Sequence, residues 1–182
     1  MYEGVDTVVL HNELAYEDVL PVGWRGLSKP LDMTAVSALT ERNIRTLLVC
    51  ATIEEQGPVE KAEDKSLHSA DLHRIQVKMN LVLEVLGQLL AAQQPRPRLA
   101  SVRFNALGAN WRTPTPPKVG DQGLLDIYLR ECLAQPLTLI SNVTHVSAEG
   151  MVKVAFTPPG EATADLIEKL AFRRHRRHVA GV

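Results

Sequence analysis

The sequence predicts an α+β protein in which two long helices precede a run of short strands that form a small barrel or sandwich. Two observations carry this prediction: an apolar heptad pattern between residues 60 and 94, and a series of short β-prone segments separated by glycine and proline after residue 98. The chain has 182 residues, of which 45% are apolar, and this is enough for one sizeable core. We therefore expect a single domain over residues 1–182.

The first part of the chain predicts one strand and one helix. Residues 7–25 mix short apolar runs with a proline and a glycine, which favours an extended segment and a strand ending near Arg25. A helix is predicted from Met33 to about Gln56, because apolar residues recur there every three or four positions. Gly57-Pro58 then ends the helical pattern.

A second helix is predicted from about Glu60 to Gln94, with an apolar seam along it. The seam residues are Leu72, Ile75, Met79, Val82, Leu86 and Leu89. Their spacings alternate between three and four, which is typical of a helix that faces a partner helix. Further apolar residues flank the seam, so it suits helix pairs or a bundle of more than two helices, although it weakens at Lys65 and His68. We expect self-association, the alternative being a helical hairpin within one chain.

The remainder predicts strands and a closing helix. The β-prone segments are Arg98–Ala106, Ala109–Arg112, Leu124–Leu129, Pro136–Val146 and Gly150–Phe156. Residues 113–123 are predicted as a loop because they are rich in proline and glycine. A last helix is predicted from about Glu161 to His178, and its basic end complements the helix dipole.

The small net charge of −1 conceals an uneven distribution. Residues 1–65 contain 12 acids and 6 bases, whereas residues 66–182 contain 9 acids and 14 bases. A basic second part favours contact with an anion. The strongest candidate is the cluster of Arg173, Arg174, Arg176 and Arg177, because guanidinium groups bind phosphate bidentately. The alternative is that these arginines satisfy the helix end and pair with the acidic part of the same chain.

Several classes of function are disfavoured by the composition. No catalytic motif or activated nucleophile is recognisable, and arginines surround the His175 and His178 pair, which disfavours a metal site. Cys50 and Cys132 are predicted to be buried thiols. Nucleic-acid binding is the weakest hypothesis, because the isoelectric point is about 6.6 and aromatic residues make up 4%. Without an apolar run of spanning length or a signal peptide, we expect a cytoplasmic, non-enzymatic protein without a metal or cofactor.

Four segments after the heptad helix resemble a known family when they are taken in order. They are VRFNALGANW, GDQGLLDIYL, VKVAF and LIEKLAFRRHRRHVA, and they resemble atypical PilZ domains, described as cyclic di-GMP receptors in bacteria. The resemblance implies a six-stranded β-barrel formed by residues 18–25 and 98–157, with two inserted helices at about 31–94 and a C-terminal helix at about 161–178. It also implies a homotetramer held by a bundle of the heptad helices.

The same resemblance implies a ligand and a set of contacts. Ordinary PilZ domains bind cyclic di-GMP through RxxxR and (D/N)xSxxG segments. On the second pattern Gly108 takes the glycine position, Asn105 the serine position and Arg103 the acid position, whereas no RxxxR precedes the first strand. The implied site is Arg103, Asn105 and Gly108, with the four C-terminal arginines supplying positive charge. The alternative is a barrel that has lost the ligand and serves as an oligomeric scaffold for a protein partner.

Overall fold

The structure is a computed structural model that describes residues 15–55, 67–93, 96–130 and 133–180. The strands are β1 (Tyr16–Gly26), β2 (Leu99–Phe104), β3 (Gly108–Arg112), β4 (Gln122–Ile127), β5 (Leu137–Val146) and β6 (Met151–Phe156). The helices are α1 (Met33–Glu55), α2 (Leu67–Gln93) and α3 (Glu161–Ala180). Two long helices therefore separate β1 from the other strands.

The strands form one closed antiparallel barrel in the order β1-β2-β3-β6-β5-β4. β1 closes it by pairing with two strands in succession: Tyr16–Pro21 pair with β2, and Val22–Gly26 pair with β4. Pro21 lies at the changeover, where its carbonyl accepts a hydrogen bond from the Tyr128 N–H (3.1 Å). A proline is tolerated at such an irregular point of a ladder because it has no N–H to donate.

Alternate residues of each strand point into the barrel and form the core. The largest fully buried side chains of the strands are Tyr16, Phe104, Trp111, Leu125, Ile127, Leu137 and Leu139. α3 joins the same core through Ile167, Leu170 and Ala171, none of which is more than 1% exposed. Burial of each large apolar side chain stabilises the fold by about 1.5–3 kcal/mol, so α3 is held firmly to the barrel.

Asn43 holds α1 to β5, because its side-chain amide forms hydrogen bonds with the β5 backbone as a neighbouring strand would. Its Nδ2 donates to the Thr138 carbonyl (2.7 Å), and its Oδ1 accepts from the Thr138 N–H (3.0 Å). β6 pairs with β5 only from Ser141 onward, so the amide satisfies buried backbone groups that β6 does not reach. Leu47 and Cys50, further along α1, are each 1% exposed and belong to the barrel core.

α2 differs from the other two helices because its large apolar side chains are exposed. The six seam residues Leu72, Ile75, Met79, Val82, Leu86 and Leu89 are between 49% and 66% exposed. Within the described ranges, α2 packs extensively against neither the barrel nor another helix. A single chain therefore presents an apolar surface of a kind that usually marks an interface.

The predicted α+β fold with a six-stranded barrel is confirmed, while some element boundaries differ. β4 runs from Gln122 to Ile127, so it begins and ends two residues before the predicted Leu124–Leu129. The reason is that Gly123 does not break the strand: it pairs with both neighbouring strands, and its missing side chain makes room for Trp24. α3 continues to Ala180, past the predicted end at His178.

Some predictions concern residues outside the described ranges. These are the extended segment over 7–14, the helix end at Gly57-Pro58, the start of the second helix between Glu60 and Ser66, and the Cys132 thiol. The assignment of residues 1–182 to one domain stays a prediction. Of the helices in the described ranges, none has both the length and the apolar character needed to cross a membrane.

Candidate functional site

Asn105 and Gly108 lie together in the turn between β2 and β3, as their spacing predicts. Asn105 Oδ1 accepts hydrogen bonds from the Leu107 N–H (2.9 Å) and the Gly108 N–H (3.1 Å). The backbone N–H of Asn105 donates to the Gly108 carbonyl (3.0 Å). The Asn105 side chain is thus committed to the turn, and the residue is only 3% exposed.

Gly108 is required by the packing of the barrel wall. A Cβ atom built at this position would lie 2.4 Å from the Val154 carbonyl oxygen on β6, which is far inside van der Waals contact. The residue must therefore be glycine for β3 to pair with β6 at this distance. The packing of two strands accounts for this glycine without reference to a ligand.

Arg103 occupies the outer wall of the barrel. In the ladder it pairs with Glu17 on β1 and with Asn110 on β3, and its neighbours Val102 and Phe104 point into the core. Because side chains alternate along a strand, Arg103 projects outward. The guanidinium makes no hydrogen bond or ion pair with another described residue, so it is available to an external anion.

Arg174 is held against the barrel by an acid that the sequence analysis did not single out. Its Nη2 lies 2.8 Å from Asp18 Oδ2, and the guanidinium sits over the Tyr16 ring at 5.8 Å from the centroid. Asp18 pairs with the inward-facing Val102, whereas Arg103 pairs with Glu17. Arg174 and Arg103 therefore lie on opposite faces of the β1–β2 pair.

The other arginines of the C-terminal cluster differ in how far their side chains are exposed. Arg173 is half-buried and contacts the fold, and Arg176 is exposed. The side chains of Arg177 and His178 are outside the described part of the structure. In the part of the chain that is described, no three His, Cys, Asp or Glu residues are grouped so as to hold a metal ion.

A family model described as "Atypical PilZ domain, cyclic di-GMP receptor" matches residues 47–182. The chain belongs to this family. The match includes α2, the five strands that follow it and α3, while β1 precedes the matched region and completes the PilZ barrel. No curated protein matches the sequence.

The PilZ fold is also similar to that of a solved protein from Xanthomonas campestris. That protein is described as a pathogenic protein with a new tetrameric PilZ domain self-assembled via an unusual helical bundle. The TM-score is 0.70 at 23% sequence identity, and the alignment covers 92% of this chain and 90% of the other. Coverage of this extent cannot be confined to the barrel, so the shared fold includes helical parts of the chain.

A second arginine of this PilZ domain, Arg25, lies in a charged cluster that sequence spacing did not reveal. Its Nε and Nη2 donate to the two oxygens of Asp126 at 2.6 and 3.0 Å, and Thr138 Oγ1 donates to the same carboxylate (2.7 Å). The hydrogen bonds that Arg25 donates to Asp126 raise the pKa of Arg25 above its usual value, so the group stays cationic. The two partners are 101 residues apart, so no local pattern in the sequence could pair them.

Proposed function

We propose that this PilZ domain is a non-enzymatic bacterial signalling protein that binds cyclic di-GMP in the cytoplasm and uses no metal or other cofactor. The observation that carries the proposal is the outward guanidinium of Arg103 on the wall of a barrel that belongs to a cyclic di-GMP receptor family. A buried thiol at Cys50 fits a reducing compartment.

Arg103 is the proposed direct contact to the ligand. Cyclic di-GMP carries two phosphates and two guanines, and a guanidinium can pair with the first or stack on the second. Asn105 and Gly108 support the site by fixing the turn that follows β2. Arg173, Arg174, Arg176 and Arg177 contribute positive potential from α3, on the other side of β1.

The signalling unit is proposed to be a homotetramer assembled through α2. Support comes from the exposed apolar seam on α2 and from the helical bundle by which the Xanthomonas protein is described as self-assembling. A tetramer would present four barrels to one target, and avidity would strengthen weak contacts with a protein partner.

Calorimetric titration of cyclic di-GMP into protein of known oligomeric state tests the receptor function. We expect saturable binding that Arg103→Ala weakens at least about tenfold, as loss of a charge-assisted hydrogen bond implies. Lys118→Ala is the matched control, because it removes one exposed positive charge from the loop between β3 and β4. If no heat of binding is detected up to high micromolar ligand, or if Arg103→Ala binds as tightly as the parent chain, the proposal is wrong.

A second candidate is an oligomeric interaction scaffold that binds no cyclic di-GMP. Two observations favour it: the Asn105 side chain is hydrogen-bonded within the turn, and Arg174 forms an ion pair with Asp18. Both interactions leave fewer polar groups for a ligand. A negative titration on protein that is demonstrably oligomeric would select this function over the first.

A further inference from the structure

The outer wall of the barrel carries a polar row formed by Arg103, Asn110 and Lys153. In the ladder Arg103 on β2 pairs with Asn110 on β3, and Asn110 pairs with Lys153 on β6. Residues that pair directly across an antiparallel ladder point to the same face of the sheet. The three side chains therefore lie side by side across three neighbouring strands.

The burial pattern shows that the polar row faces away from the core. The neighbours of its members along each strand are core residues that are at most 3% exposed, namely Val102, Phe104, Ala109, Trp111, Val152 and Val154. Because side chains alternate between the two faces of a strand, Arg103, Asn110 and Lys153 project outward. Neighbouring strands lie about 4.8 Å apart, so the backbones at Arg103 and Lys153 are separated by about 10 Å.

An acid bounds the polar row on the β1 side. Glu17 pairs with Arg103 across the β1–β2 ladder and is exposed on the same face. Its carboxylate would repel a phosphate placed between β1 and β2, because like charges at close range oppose binding. An anion at Arg103 is therefore directed towards β3 and β6, where Asn110 offers an amide and Lys153 a second positive charge.

A ligand with two phosphates calls for a second cation on the same face as Arg103. No RxxxR segment precedes β1 to provide it. Arg174 lies on the other face of the β1–β2 pair, and Arg112 at the end of β3 is paired with Glu149 at 3.2 Å. Lys153 is the basic residue of β2, β3 and β6 that shares a row with Arg103.

We propose that cyclic di-GMP lies across β2, β3 and β6, with one phosphate at Arg103 and the other at Lys153. Lys153 thereby supplies positive charge that ordinary PilZ domains obtain from RxxxR. Asn110, between the two cations, offers an amide donor and acceptor to the polar edge of a guanine. This inference rests on the receptor function proposed above and names the side chains that complete its site.

Calorimetric titration of cyclic di-GMP into full-length variants tests the role of Lys153. We expect Lys153→Gln to bind at least about tenfold more weakly than the parent chain, because a charge-assisted contact is lost. Lys153→Arg keeps the charge and should bind within about threefold of the parent chain. Lys29→Gln is the matched control: it removes an exposed charge beyond the end of β1 that pairs with β4, across the barrel from β3 and β6, and should leave binding unchanged.

The outcomes separate this inference from the receptor function. If Lys153→Gln binds as tightly as the parent chain while Arg103→Ala binds more weakly, the role of Lys153 is wrong and the receptor function stands. If the parent chain binds no cyclic di-GMP, both are wrong. Equally weak binding by Lys153→Arg and Lys153→Gln would also overturn the role of Lys153, because these variants differ in charge. The melting temperature of Lys153→Gln should stay within about 2 °C of the parent value, so that weaker binding reports the lost contact.

Discussion

Gly108 shows how one position can match a ligand motif and still be fixed by packing. The glycine of the motif is expected to let a ligand approach the backbone, but here the close approach is that of β6. The Val154 carbonyl occupies the space that a side chain would need. Asn105 is similar, because its amide oxygen is used by two backbone N–H groups of the turn.

Gly108→Ala should therefore destabilise the barrel by about 1–3 kcal/mol, since the added methyl group forces β3 and β6 apart. Urea unfolding followed by circular dichroism measures the change. Gly26→Ala is the control, because a Cβ there meets no atom within 4 Å, and its effect should stay within about 0.5 kcal/mol. Equal stability of Gly108→Ala and the parent chain would show that the packing constraint at β6 has been misjudged.

At the scale of elements, α1 and β5 depend on one amide for their alignment. Asn43 provides both a donor and an acceptor to Thr138, at the point where β5 has no strand on that side. Leaving a buried backbone group without a partner costs about 1–3 kcal/mol.

Asn43→Ala removes both hydrogen bonds, and we expect it to lower the free energy of unfolding by about 2–4 kcal/mol. Thr52→Ala on the same helix is the comparison, because the Thr52 hydroxyl is exposed and bonds only within α1. Chemical denaturation of both variants gives the difference. A result in which the two variants are equally stable would mean that α1 is held to the barrel by its apolar residues alone.

The elements were predictable from the sequence to a greater extent than their contacts. Heptad spacing in α2, the β-prone composition of β5 and alternation in β6 are local properties, and the structure has a helix and strands at those positions. The Asn43–Thr138 contact joins residues 95 apart. The partner of Arg174 is likewise Asp18, near the other end of the chain. Such contacts follow from the docking of α1 and α3 on the barrel, which no local spacing encodes.

For the whole molecule, the apolar face of α2 is the surface that a single chain leaves uncovered. The six seam residues lie along one side of the helix, and all of them are more than half exposed except Leu86 at 49%. An exposed apolar seam of this length is stable in water when partner helices cover it. We therefore expect the isolated monomer to be a minor species.

Leu86→Glu should disrupt the assembly, because it places a charge in the centre of the apolar seam. Light scattering coupled to size-exclusion chromatography measures the mass in solution. Val77→Glu is the control: it makes the same chemical change on the side of α2 that faces away from the seam. An oligomer that survives Leu86→Glu, or a parent chain that is monomeric, would refute assembly through this seam.

β1 determines when during folding the barrel can close. Its first half pairs with β2 and its second half with β4. Because two long helices separate β1 from these strands in the chain, β2 and β4 each keep an unpaired edge until β1 pairs with both of them. Bringing these segments together has an entropic cost that grows with the length of the intervening chain. We therefore expect slow folding, in which barrel closure is the late step and exposed strand edges favour aggregation before it.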